Sequence, residues 1–317
     1  MPDVSARLAQ LDADRRKLVE KLLREQNGAP PPSASAPPPM LTFVPEPGTV
    51  IDADPGETVK AGFLRFYNTV SEQLDATEVG EFSFFLNYGY SPDLNPQHAA
   101  VKLPARFINK NSVQLVLELI GDHDLRGARV LDVGCGRGGT VHVLKEFFSC
   151  GSINGVDLSP KAIEFCRSRH KSPDVRFDVG DAERLSFPDG TFDVVTNVES
   201  SHSYPNVKAF YAGVYRVLGA GGVFLYTDCL PAETVADSVG SLARQGFVIE
   251  RETDITSNVL KSCDEIALTR VAAFHESNAP DLMANFLAVP GSEVYDQMKS
   301  RRWRYMIYRF RKPASLR

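Results

Sequence analysis

Residues 130–140 read VLDVGCGRGGT: apolar Val130, Leu131 and Val133 surround one acid, Asp132, and glycines follow at Gly134, Gly136, Gly138 and Gly139. The pattern predicts a buried parallel strand that breaks into a tight turn and opens a helix. Such glycines admit backbone angles that a Cβ would block, and let the main chain approach a ligand closely at the carboxyl edge of a sheet. A second acid, Asp157, ends the next apolar run, Ile153 to Val156, at the spacing expected of a ribose-binding carboxylate. A third, Asp181, stands in Gly180-Asp181-Ala182. After the apolar run Thr191 to Val198 comes Glu199-Ser200-Ser201-His202, an acid and an imidazole three residues apart. Histidine exchanges a proton near neutral pH and a carboxylate can orient its ring, so this pair is a candidate general base with its orienting acid. His98, His123, His142, His170 and His275 lack that context and read as ordinary.

The glycines also fit G-x-G-x-x-G, the dinucleotide fingerprint, which is weak alone. Asp132 stands two residues before the first glycine, where that fingerprint asks for no acid. The ordered set formed by the glycine loop, Asp157, and Gly180 to Val195 (GDAERLSFPDGTFDVV) resembles the class I S-adenosylmethionine (SAM) methyltransferases. The resemblance implies that Asp132, Gly134 and Gly136 hold the methionine part of SAM, that Asp157 takes the ribose hydroxyls, and that Asp181 and Ala182 cap the adenine. Leu158 and Asn197 join the implied cofactor contacts. So do Tyr88 and Tyr90 of FLNYGY, as rings closing over the sulfonium, where an aromatic face favours a cation.

The loop after the fourth strand lacks the N/D-P-P-Y/F of methyltransferases that act on base amines, and has one glutamate where arginine methyltransferases use two. FLNYGY, GDAERLSFPDGTFDVV, NVESSHSYPN and the terminal RYMIYRF together resemble the polyketide-type O-methyltransferases, over roughly residues 80–312. These include synthase-embedded mono-O-methyltransferase domains and the mycobacterial phthiotriol enzymes. The resemblance implies a His–Glu pair that serves a hydroxyl without metal. His202 falls on the histidine and Glu199 on the acid, another glutamate being the alternative. The expected activity is O-methylation of a polyketide or polyketide-peptide intermediate, free or on an acyl carrier protein. C- or N-methylation of a free small molecule is the alternative within enzymes, and a SAM-binding scaffold without turnover the alternative outside them.

To position these groups the chain must alternate strand and helix. Expected helices are Thr58 to Leu74, Val113 to Ile120, Thr140 to Phe148, Ser159-Pro160 (N-cap and N1) to His170, and Val207 to Leu218 stopped by Gly219 to Gly222. Expected strands are residues 130–133, 153–156, 175–179, 191–198, 223–227 and 248–251, with a final antiparallel strand, Trp303 to Phe310. This is an α/β, Rossmann-like, seven-stranded sheet with a helical N-terminal lid and a helical insertion, Val259 to Gln297, before the last strand.

Ahead of the domain (41–317), residues 1–27 carry a narrow apolar face, Leu18, Val19, Leu22 and Leu23, within a basic helix. Residues 28–40 are Pro-rich and predict an extended spacer. The helix is therefore expected to dock a partner such as a synthase or carrier protein, or to fold back on its own domain. A net charge of −5 and a pI near 5.8 disfavour a nucleic-acid surface. Five scattered cysteines suit reduced thiols in the cytoplasm, no zinc spacing is present, and neither a secretory signal nor an apolar run of bilayer length is found.

Overall fold

In a computed structural model of the chain, residues 55–75, 84–92, 103, 107, 109–273 and 284–314 are described. The expected helix in 1–27 and the spacer at 28–40 lie outside them. Strand β1 (Arg129–Val133) is buried from its second residue onward, as a central parallel strand must be. Its side chains alternate between two cores. Val130 packs with Val113, Val116, Val141 and Ile163 on one face, and Leu131 and Val133 pack with Phe210, Val214 and Leu242 on the other.

The remaining strands are β2 (Ser152–Asp157), β3 (Val175–Val179), β4 (Phe192–Val198), β5 (Leu218–Pro231), β6 (Val248–Asp254) and β7 (Trp303–Arg311). They form one sheet in the order β3-β2-β1-β4-β5-β7-β6. Strands β1 to β5 run parallel, while β7 is antiparallel to both β5 and β6. Because β2 and β4 flank β1, the order reverses there. The crevice at the carboxyl ends of β1 and β4 is the switch point where open α/β sheets bind ligands.

The helices are α1 (Pro55–Asp75), α2 (Lys110–Ile120), α3 (Gly139–Phe147), α4 (Pro160–Arg169), α5 (Val207–Val217), α6 (Ala232–Arg244), α7 (Thr256–Ala273) and α8 (Glu293–Lys299). Ser159 caps α4 as its sequence requires, its Oγ accepting from Ala162 N–H at 3.1 Å, with Pro160 at the first helical position. Two expectations need correction. Helix α5 ends at Val217, and Gly219 to Gly222 lie inside β5, which continues to Pro231 because β7 pairs with every residue from Val223 to Pro231. Helix α6 fills the β5–β6 crossover, a segment where the sequence reading set no element. No helix among the described residues is long and apolar enough to cross a membrane.

Candidate active site

A cavity of about 890 Å³ opens at the switch point, beneath α1. The glycine loop forms its floor. Gly134 has φ +68°, and a Cβ there would lie 2.1 Å from Ser200 Oγ and 2.5 Å from Tyr204 OH, so a side chain would be strained and would have to displace both. The N–H groups of Gly134 and Cys135 both donate to Val156 C=O, at 2.8 and 3.0 Å, which ties the loop to β2. Asp157 then joins the loop to the start of α4: its Oδ2 accepts from Gly136 N–H and its Oδ1 from Ser159 N–H, both at 2.8 Å. Burial pushes its pKa up, and these two N–H bonds oppose the rise.

Asp132 and Asn197 sit side by side at the ends of β1 and β4. Asp132 Oδ1 accepts from Thr196 Oγ1 at 2.7 Å, while Oδ2 is buried with no partner. Burial raises its carboxyl to about 7. Asn197 Nδ2 donates to Val133 C=O at 2.8 Å and to Ser200 Oγ at 2.9 Å, and its Oδ1 is likewise buried without a partner. Two orphaned acceptors beside one glycine loop lack a donor, and an ammonium supplies three. As acceptors the two suit the amino end of a methionine-type ligand, although both are fully buried and neither lies on the cavity wall. Of the expected cofactor contacts, Gly134, Gly136, Asp157, Leu158, Asp181 and Ala182 line the cavity, and Asp132 and Asn197 do not. Asp181 is already engaged, since its Oδ1 accepts from Glu183 N–H at 2.9 Å and its Oδ2 from Lys60 Nζ at 2.8 Å.

His202 lines the cavity from a short 3-10 turn, Ser201–Ser203, after β4. Its Nδ1 lies 2.7 Å from Oδ1 of Asp228, which is fully buried on β5. A carboxylate only accepts, so Nδ1 carries the hydrogen, and in the neutral ring Nε2 keeps its lone pair. Asp228 is itself held by Ser201 Oγ at 2.6 Å, His202 N–H at 3.0 Å and Cys229 N–H at 2.8 Å. Burial disfavours the imidazolium, but the charge of Asp228, the bond to it and the charge of Glu199 outweigh burial and raise the ring's pKa.

Glu199 does not orient His202. Its Oε2 accepts from Tyr88 N–H at 2.9 Å and from Tyr305 OH at 2.5 Å. The orienting acid is Asp228, 26 residues beyond the histidine, which the sequence reading missed. Its signal was an acid one residue past the expected end of the fifth strand, at the same sheet edge as Asp132 and Asp157. Tyr88 lines the cavity, whereas Tyr90 is absent from its wall and packs against the core. The expected place of Tyr90 over a sulfonium is therefore corrected: the chain turns at Gly89, φ +75°, and Tyr90 N–H bonds Asn111 C=O at 2.9 Å.

Helix α1 closes the top by contacts to the loops beneath it. Lys60 bridges Asp181 at 2.8 Å and Glu183 at 2.6 Å. Ser159 Oγ donates to Asn68 Oδ1 at 2.5 Å, and Arg137 of the glycine loop reaches Asp75 at 2.7 Å. Phe63, Phe66, Tyr67 and Val70 of α1, with Phe286, Val294 and Trp303, give the cavity an apolar side.

Residues 131–226 match a family described as a methyltransferase domain. The chain is 35% identical over 232 residues to the fatty-acid O-methyltransferase of Mycolicibacterium smegmatis, covering 73% of this chain and 84% of that protein. The chain belongs to the SAM-dependent O-methyltransferases. A second relative of this methyltransferase is the phthiotriol/phenolphthiotriol dimycocerosates methyltransferase of Mycobacterium leprae, 30% identical, with 78% of this chain and 90% of that one covered. Among solved structures, the [4+2]-cyclase SpnF matches with a TM-score of 0.62 at 23% identity, over 80% of this chain and 96% of that one; that likeness is one of fold. The seven-stranded class I methyltransferase fold expected from the glycine loop and the alternation is thus what the chain adopts.

Proposed function

We propose that this methyltransferase methylates a hydroxyl oxygen on a small, largely apolar acceptor of polyketide or fatty-acyl type, with His202 as general base. The observation that carries the reading is the 2.7 Å bond from His202 Nδ1 to buried Asp228 at the cavity wall. SAM, when bound, supplies an electrophilic methyl group. Asp132 and Asn197 then hold its ammonium, Asp157 its ribose hydroxyls, and Asp181 with Ala182 its adenine edge. Tyr88 and the apolar face of α1 exclude water above it.

An alcohol is a poor nucleophile while protonated, so the acceptor needs positioning and loss of its proton as the bond to carbon forms. His202 Nε2 takes that proton. Asp228 keeps the ring in the productive tautomer and stabilises the imidazolium that results. No step in this reading uses a metal. Replacing His202 by Ala should cut methyl transfer by about 10²–10⁴-fold with SAM affinity retained by calorimetry. A wild-type rate would remove the base from the account.

A second reading follows from the raised pKa of His202, since an imidazolium can pair with an acceptor carboxylate. The acceptor would then be an acid and the product a methyl ester, as the name of the Mycolicibacterium relative suggests for that protein. Alkaline hydrolysis separates the two readings, because it removes an ester methyl and leaves an ether methyl in place.

We read residues 1–27 as an element that docks a synthase or carrier protein across the 28–40 spacer, in the cytoplasm. Deleting residues 1–40 should leave Tm and SAM affinity nearly unchanged and lower turnover only on a carrier-bound hydroxyacyl substrate. A large fall in Tm would place that helix on its own domain instead.

A further inference from the structure

Glu199 is left without the task of orienting His202, and its surroundings point to another. It follows β4 with φ +50°, in the left-handed region that side chains rarely adopt. Asn109, Ala288 and Arg301 are the other non-glycine residues with positive φ among the described residues, and of the four only Glu199 lines the cavity. The strained conformation is held by its own N–H, which donates to Thr227 C=O at 2.8 Å, and by two donors on Oε2. Strain maintained in this way is commonly part of a ligand site.

The two donors divide the carboxylate. Tyr88 N–H can only donate, and the Tyr305 hydroxyl, on a fully buried residue, also gives its hydrogen to Oε2. Oε1 accepts no hydrogen bond among the described residues. That oxygen belongs to a residue on the cavity wall, so it can accept from a ligand donor there. His202 faces the same cavity three residues along the chain. One wall thus offers two polar stations, a base with an open Nε2 and an acid with an open Oε1. The side formed by α1 and Phe286 is largely apolar, with Lys60, Thr69, Ser71 and Gln73 as polar residues of α1 on it.

We propose that Glu199 Oε1 is a second recognition point for the acceptor. It accepts a hydrogen bond from a hydroxyl close to the one methylated, so the preferred substrate is a diol or polyol on an apolar chain. The inference rests on the reading of His202 as the base for an oxygen acceptor.

The test uses the full chain with a 1,3-diol, the mono-alcohol of the same alkyl chain, and the matching β-hydroxyketone. Wild-type enzyme should favour the diol over the mono-alcohol by roughly tenfold or more in kcat/KM, the worth of one hydrogen bond to a charged group. The assay pH should lie above the Glu199 value of about 7, to which burial raises the carboxyl against the bonds from Tyr305 and Tyr88. Glu199→Gln must keep its amide oxygen on the Tyr88 and Tyr305 donors, which turns its NH₂ toward the ligand. The diol preference should then vanish, and the hydroxyketone should overtake the mono-alcohol. Each ratio is read within one variant, so a loss of overall rate does not enter it, and calorimetric SAM binding verifies that the variant is folded.

Equal kcat/KM for diol and mono-alcohol in the wild type would overturn the inference while leaving the base reading intact. So would an unchanged diol preference in Glu199→Gln. Failure to find an O-methyl product from either alcohol would overturn the base reading and, with it, this inference.

Discussion

At the scale of single residues, His202 and Asp228 act as a pair, and the sign of their coupling can be checked. Burial alone would lower the His202 pKa; Asp228 raises it beyond that loss. Asp228→Asn removes the charge, so the folded-state value must fall. The acid limb of the kcat/KM profile should move to lower pH, and the plateau should drop, because an amide no longer enforces the tautomer. An unshifted limb would show that another group titrates there. The same linkage bears on stability. The raised imidazole contributes fully below its unfolded value of about 6.5, and the contribution is lost as pH rises through the folded value. Asp132 gives a second residue-scale prediction. Its carboxyl stands at about 7 through burial, and a bound ammonium must draw it to the ionised form. SAM binding should therefore release protons below about pH 7 and tighten as pH rises toward that value, then level off. Calorimetry in buffers of different ionisation enthalpy reads the proton count directly, and zero exchange would contradict the assignment. The places of Asp157 and His202 on the cavity wall were legible in the sequence because each stands at or just after a strand end beside its loop. Asp228 and the bonds of Glu199 were not, since both depend on which distant strand lies alongside.

At the scale of elements, α1 is held over the site by polar contacts to the loops that line the cavity. Lys60 shows the balance: burial opposes its charge, yet its bonds to Asp181 and Glu183 and their charges prevail and raise its pKa. The ammonium is therefore ionised through the whole neutral range. Lys60→Ala should loosen the lid, raise the SAM dissociation rate and weaken affinity by about tenfold, as loss of a partly buried, charge-assisted bond implies. Stopped-flow displacement measures it, and an unchanged off-rate would show that α1 does not gate release. The helical period of residues 58–74 revealed that α1 exists. It could not say which loops α1 covers, because Asn68, Lys60 and Asp75 read as solvated polar residues until Ser159, Asp181 and Arg137 arrive from far along the chain.

At the scale of the whole molecule, alternation of apolar strands with amphipathic helices was enough to predict a doubly wound sheet, and β1 to β4 fall close to where the apolar runs put them. Strand lengths on the other side of the sheet were less legible. β5 runs nine residues beyond Gly222 and β6 extends to Asp254, because β7 pairs with both from more than fifty residues further along the chain. That same pairing brings Tyr305 of β7 to Glu199, so the feature hardest to read locally shapes the acceptor side of the site. The proposed oxygen methylation depends on the His202–Asp228 pair. Its most direct test is the pH profile of kcat/KM for O-methyl product formation, compared between wild type and His202→Asn with SAM binding measured alongside. The variant should bind SAM as the wild type does, lose about 10²–10⁴-fold in methyl transfer, and lose the acid limb that the imidazole imposes. Wild-type turnover with the same acid limb in His202→Asn would contradict it.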